Sequence, residues 1–214
     1  TTTSLVGNIL ESGKLDPTIV NGGIINSFSK NNKFGKGKWM VVEADESDGS
    51  FLKLPHEISI ITNVDIEHLD YYITPKNLYS AFNKFIMNLP FYGTAIVNED
   101  DRNLKKIIDQ NDTRKIISFS KKNKKANVFI DEIFFKKEFS FFTLQLNVPI
   151  NNLSGLYKYK IRAIGLHNVY NAAASIIAGL LVGVKNPYIR NALNNYNGVK
   201  RRFTYLGNVN LSTI

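Results

Sequence analysis

Cysteine does not occur in these 214 residues. Its absence excludes disulfides, thiolate zinc centres and cysteine nucleophiles, and it fits a reducing compartment. Histidine is nearly as scarce: His56, His68 and His167 are the only imidazoles available to a metal or to acid-base chemistry. Long apolar runs are missing as well. The longest, Ala172 to Val184, falls short of the roughly 20 residues that a helix needs to cross a bilayer. The opening stretch TTTSLVGNIL has no basic region followed by an apolar one and does not read as a secretory signal. A soluble, cytoplasmic chain without a membrane partner is therefore expected. An initiator Met is also lacking, and the final LGNVNLSTI stops in the pattern of a strand just beginning, so the chain is expected to be cut from a longer polypeptide at both ends.

What is present is enough for one sizeable core. A chain of this length with 43% hydrophobic residues buries roughly 70% of its unfolded surface. The formal net charge is +9, a balance compatible with nucleic acid, an anionic nucleotide or simple solubility. Only six of the 27 basic residues are Arg, and the Lys are scattered among many Asn and Ile, as in a compositional bias rather than a binding stripe. The densest run, KKNKK at 121–125, reads as a solvated loop between two strands. Phe and Tyr fall mostly on predicted core positions instead of interleaving with Arg, which argues against a nucleic-acid-binding module.

Short Val/Ile-rich runs at 38–44, 57–62, 93–98 and 115–120 read as buried strands, and 75–89 and 100–109 show helical spacing between them. The expected fold class is α/β, a mostly parallel sheet with helices on both faces. From 127 to 163 the pattern changes to period-two alternation, which predicts a small antiparallel meander appended to the sheet. An Ala-rich helix over 165–184 follows, with Gly183 as its stop, and then a helix with Asn186 as N-cap and Pro187 in its first position.

Ligands of open parallel sheets bind at the carboxyl ends of the strands. There, EADESDGSFL places Glu43, Asp45, Glu46 and Asp48 within six positions, directly after the apolar Trp39 to Val42. Like charges so close repel unless a cation or a set of donors stands among them. NVDIEHLDYY, at the next strand end, adds Asp65, His68 and Asp70 to the same edge. Oxygen ligands with one imidazole suit a hard divalent cation such as Mg2+ with nucleotide phosphates, while helix caps and solvated turns account for the spacing equally well. In GLHNVYN, Asn168 is a candidate N-cap; alternatively Asn168 and Asn171, three apart on one helical face, are able to bond an adenine edge. VKRRF at 199–203 offers adjacent guanidinium groups of phosphate-matching geometry.

Taken in order and spacing, TTTSL, DPTIVNGGIINS, VVEADESDGSFLKLP, TNVDIEHLDYY, NLPFYGTAIVNEDD, GLHNVYNAAAS and GVKRRF resemble the central ATP-binding domain of the Mur ligases along nearly the whole chain. The likeness is greatest to the members that join L-alanine to UDP-N-acetylmuramate. A related activity, joining that nucleotide sugar to a tripeptide during muropeptide recycling, shares the EADE segment. The resemblance implies ATP-driven amide formation in peptidoglycan synthesis through an acyl phosphate. It implies catalytic and metal roles for Glu43 and His68 with Mg2+, adenine contacts from Asn168 and Asn171, a phosphate contact from Arg202 beside Arg201, and a place for Thr1 in or just after the Thr run of a P-loop. The Gly-Lys of that loop is not in the sequence, so the chain alone is expected to be inactive. Residues 1–204 are expected to form the central domain and 205–214 to begin the next. Some relatives use a carbamylated Lys near a second metal, a role not assigned to Lys84.

Overall fold

The structure, a computed structural model, describes residues 1–25, 30–110 and 113–198 and two short stretches, 208–209 and 212–213. Helix α1 (Thr2–Ser12) forms because Leu5, Val6, Ile9 and Leu10 share one stripe, which is buried. It leads into a three-stranded sheet in which β1 (Thr18–Ile25) is central, antiparallel to β2 (Lys30–Lys33) and parallel to β3 (Met40–Val42). A 3-10 turn (Ser50–Lys53) follows.

The main sheet has six strands in chain order: β4 (Ile58–Ile61), β5 (Thr94–Asn98), β6 (Lys115–Ser120), β7 (Val128–Lys136), β8 (Phe139–Ile150) and β9 (Leu153–Ile161). Neighbours from β4 to β7 are parallel and the last two pairings are antiparallel. Helices α2 (Leu69–Tyr72), α3 (Pro75–Met87), α4 (Arg102–Gln110), α5 (Leu166–Leu181) and α6 (Asn186–Asn194) complete the chain. Among the described residues no helix is long and apolar enough to cross a membrane.

Strand β5 explains the layering. All five of its residues are buried, and its side chains alternate between two cores. Ile96 joins the core built by α1, α5 and α6, whereas Ala95 and Val97 join the core built by α3 and α4. A strand apolar on both faces is stable only with helices on both sides, so the expected three-layer α/β arrangement holds.

The later part of the chain follows the sequence expectation except at the start of α6. The meander is appended to the main sheet as expected, through the parallel pairing of β6 with β7, and a separate small sheet is formed by β1, β2 and β3. Lys185, not Asn186, occupies the N-cap of α6, and Pro187 comes one position further in. Asn186 is inside the helix, and its amide oxygen accepts a hydrogen bond from the Tyr159 hydroxyl. Gly183 ends α5 as expected, at φ 89.

Candidate functional site

Strand β3 pairs along one edge with β1, and β4 pairs along one edge with β5; among the described residues neither has a partner on its other edge. A cleft of about 2410 Å³ is lined by both strands, by Thr1 to Thr3 at the start of α1, and by His167, Asn168 and Asn171 of α5. Glu43, the first residue beyond β3, lies in its wall. One of its carboxylate oxygens accepts the Gly22 backbone N–H at 2.5 Å. A Cβ on residue 22 would come within 3.0 Å of that oxygen, so a larger residue there would displace the carboxylate. Sequence reading gave Gly22 no role; its only signal was the Gly pair inside an apolar run, which marks close approach of another group.

The remaining acids of this loop behave differently. Asp45 accepts the Ser47 N–H at 2.9 Å and Asp48 accepts the Ser50 N–H at 2.9 Å. These bonds from Ser47 and Ser50 hold both carboxyls below the ordinary aspartate range. For these two the solvated-turn reading is correct. The buried Tyr72 pins the loop by donating to the Glu46 carbonyl, and burial pushes its phenol up to about 12. The loop after β4 is held in a similar way: Asn98 and Asn103 donate to the carbonyls of Thr62 at 2.9 Å and Val64 at 3.0 Å.

His68 is not in the cleft. It lines a separate pocket of about 40 Å³ with Glu46, Asp65 and Glu67, and its ring lies 4.0 Å from the Glu67 carboxylate. Glu43 and His68 thus belong to two cavities, and among the described residues no group of three or more His, Asp or Glu side chains is arranged to hold a metal ion. Asp70 is exposed on the first turn of α2, and Lys84 is exposed on α3 outside the cleft lining. Arg201 and Arg202 lie outside the described residues.

Backbone strain marks the loop that carries His68. Ile73, 77% exposed, has φ 68 and ψ −45, and the Thr74 N–H closes onto the Tyr72 carbonyl at 2.7 Å, a γ-turn with positive φ. A β-branched side chain is costly there. Ile73→Gly is expected to stabilise the protein by about 1 kcal/mol, because relief of strain outweighs the added chain entropy. Equilibrium urea unfolding checks this, and an unchanged or lower midpoint contradicts it.

On α5 the helix begins where the Ala-rich pattern over 165–184 placed it, three residues before the candidate cap Asn168. Gly165, at φ 113, is the N-cap residue, and its carbonyl accepts the N–H groups of Asn168 and Val169. Asn168 is therefore inside the helix and does not cap it. Its amide nitrogen donates to the Ile164 carbonyl at 2.8 Å, and the amide oxygen of Asn171 accepts from the Thr2 hydroxyl at 3.1 Å. The halves left over are an acceptor on Asn168 and a donor on Asn171, both at the cleft wall. Thr2 sits on the first turn of α1, whose N-cap residue makes no side-chain cap. Uncapped N–H groups at a helix start favour an anion.

Comparison with known proteins gives this geometry a context. Residues 1–179 match the family described as the Mur ligase middle domain. The chain is 44% identical to the UDP-N-acetylmuramate–L-alanine ligase of Methylocella silvestris, over 98% of this chain and 45% of the relative. It is 40% identical to the protein of the same name from Brucella ovis, over 98% of this chain and 44% of the relative. The crystal structure of the UDP-N-acetylmuramate–alanine ligase MurC from Thermotoga maritima superposes with a TM-score of 0.81 at 26% identity, covering 98% of this chain and 45% of that one. The chain thus spans a little under half the length of the curated relatives it matches.

Proposed function

This chain belongs to the Mur ligase family, and on that premise we propose that the cleft between β3 and β4 is its ATP site and that the full-length protein joins L-alanine to UDP-N-acetylmuramate. The relatives at 44% and 40% identity carry that activity in their names and favour alanine over a tripeptide as the incoming amine. The observation that carries the reading is a convergence in one cleft. An uncapped helix start suits phosphate, Glu43 suits a cation beside it, and the open acceptor of Asn168 and donor of Asn171 suit an adenine edge.

In the reaction the carboxylate of the muramoyl group attacks the γ-phosphorus of ATP and ADP departs, leaving an acyl phosphate. The amine of L-alanine then attacks the acyl carbon, inorganic phosphate leaves, and the amine loses its proton to form the amide. The chain's part is to hold and orient. The first turn of α1 presents N–H groups to the phosphates, and the Asn pair fixes the base. Phosphate-bound Mg2+ takes one or two carboxylates with water and phosphate oxygens as its other ligands. Glu43, with one oxygen tied to Gly22 and the other open, fits that need. Magnesium bound there supplies neutralisation of phosphate charge. His68, in its own pocket with Asp65 and Glu67, does not share that site, and its part in holding a second cation rests on the family resemblance alone. Arg202 is assigned a phosphate contact on the same resemblance. Residues 1–204 form the central domain in this reading, and residues 205–214 begin the next.

Calorimetric titration of the 214-residue chain with Mg-ATP tests the site. The phosphate-gripping Lys that the resemblance implies is not in this sequence, so a dissociation constant near or above about 1 mM is expected, equivalent to about 4 kcal/mol, with GTP weaker than ATP. Micromolar affinity, or equal binding of ATP and GTP, overturns the assignment.

A further inference from the structure

A second carboxylate, outside the cleft, is more completely bonded than any in it. Asp100, just beyond β5, accepts the Ser120 hydroxyl at 2.5 Å, the Lys121 N–H at 2.7 Å, the Tyr170 hydroxyl at 2.7 Å and the Lys122 N–H at 3.3 Å. Three of these donors belong to the end of β6 and the turn after it. The carboxylate is therefore a fixed point whether or not Tyr170 is bonded to it. Burial alone would raise its pKa, and the four donors outweigh that and hold it below the ordinary aspartate range. The fourth donor is the only one that comes from α5.

Tyr170 lies between Asn168 and Asn171 on the same turn. Beyond that turn the helix is anchored in the core by Ala172, Ala173, Ala174 and Ala178 together with Ile176, Ile177 and Leu180, all buried. The longer side chains that interlock with the core beyond that turn begin at residue 176, so they fix the body of the helix more directly than the turn that carries the two Asn residues. The N-cap residue adds no side-chain bond. On the first turns Val169 is buried in the core and the Tyr170 ring packs beside Phe119, and hydrogen-bonded restraint comes from the Ile164 and Thr2 contacts of the two Asn residues themselves and from the Tyr170–Asp100 bond.

We propose that Asp100 and Tyr170 are positioning residues: their hydrogen bond sets the orientation of the first turns of α5 and thereby the placement of Asn168 and Asn171 at the cleft wall. The consequence for nucleotide binding rests on the reading of that Asn pair as the adenine contact. Neither residue reaches the ligand; they act through the helix.

Tyr170→Phe tests this with little disturbance, since the ring stays and Asp100 keeps three donors. In the ligand-free 214-residue chain, hydrogen exchange measured by NMR is expected to quicken about tenfold for the amides of 168–171, while those of 174–181 and the melting temperature stay near the parent values. Unchanged exchange at 168–171 overturns the proposal, and so does a uniform increase along α5, which would mean a general loss of stability. For ATP, Tyr170→Phe is expected to raise the dissociation constant about fivefold, the order of one misplaced hydrogen bond. Asn171→Leu separates the two ideas. If Asn171→Leu weakens ATP binding and Tyr170→Phe does not, the positioning role fails. If exchange responds as expected and neither variant affects ATP, the positioning role stands and the adenine assignment falls.

Discussion

Glu43→Ala in the full-length protein is expected to lower ATP-dependent alanine ligation at least a hundredfold, with excess Mg2+ and ATP failing to restore it. Loss of a single preorganised electrostatic group at a phosphoryl-transfer centre has about that effect, roughly 10² to 10³ in kcat. The expectation rests on where the side chain lies. Of the four acids between residues 43 and 48, Asp45 and Asp48 are occupied by their own turn, and Glu43 faces the cleft with one oxygen steadied by Gly22. Glu43→Gln keeps the shape and the bond to Gly22 but removes the charge, so it is expected to be nearly as inactive. Steady-state kinetics with ATP and with the nucleotide sugar varied separately decide the matter. A rate within a few-fold of the parent for Glu43→Ala removes Glu43 from the site, and a near-normal rate for Glu43→Gln reduces its role to one of shape.

Asn171→Leu is expected to raise the Michaelis constant for ATP about tenfold or more and to leave that for L-alanine within about twofold. An amide that both holds Thr2 and offers a donor to the base loses two hydrogen bonds at once, each worth about 0.5 to 1.5 kcal/mol. The Thr2 contact links α5 to the start of α1, so the substitution also disturbs the proposed phosphate end of the site, and kcat is expected to fall with it. Thr2→Val removes the link and leaves the adenine donor in place. It is expected to reproduce only the part of the defect that belongs to α1. Equal rises in the constants for ATP and L-alanine would mean that Asn171 serves the fold rather than the nucleotide.

The strand–helix alternation was legible in the residues because burial on both faces demands it. Val, Ile and Ala in runs such as TAIVN have no exposed side to leave polar, and period-two alternation after residue 127 has only one covered face. Helix caps were less legible. A cap depends on where the backbone turns into the helix, and the folded chain decides that: Lys185 occupies the N-cap of α6 ahead of Asn186, and Gly165 begins α5 before Asn168 is reached.

The sequence by itself determined the α/β layering, the clustering of acids at a strand end and the set of motifs that point to the family, since all of these follow from local periodicity and residue order. Tertiary structure alone decided where each acid lies. Neighbouring strand ends grouped Glu43, Asp45, Asp48 and His68 on one edge, but backbone direction sent Glu43 into the cleft, folded Asp45 and Asp48 onto their own turns, and put His68 in a second pocket. The partners of Gly22, Tyr72, Asp100 and Tyr170 were not legible for the same reason. Their partners are 21, 26, 20 and 70 residues away along the chain, and only the folded arrangement brings donor and acceptor within bonding distance.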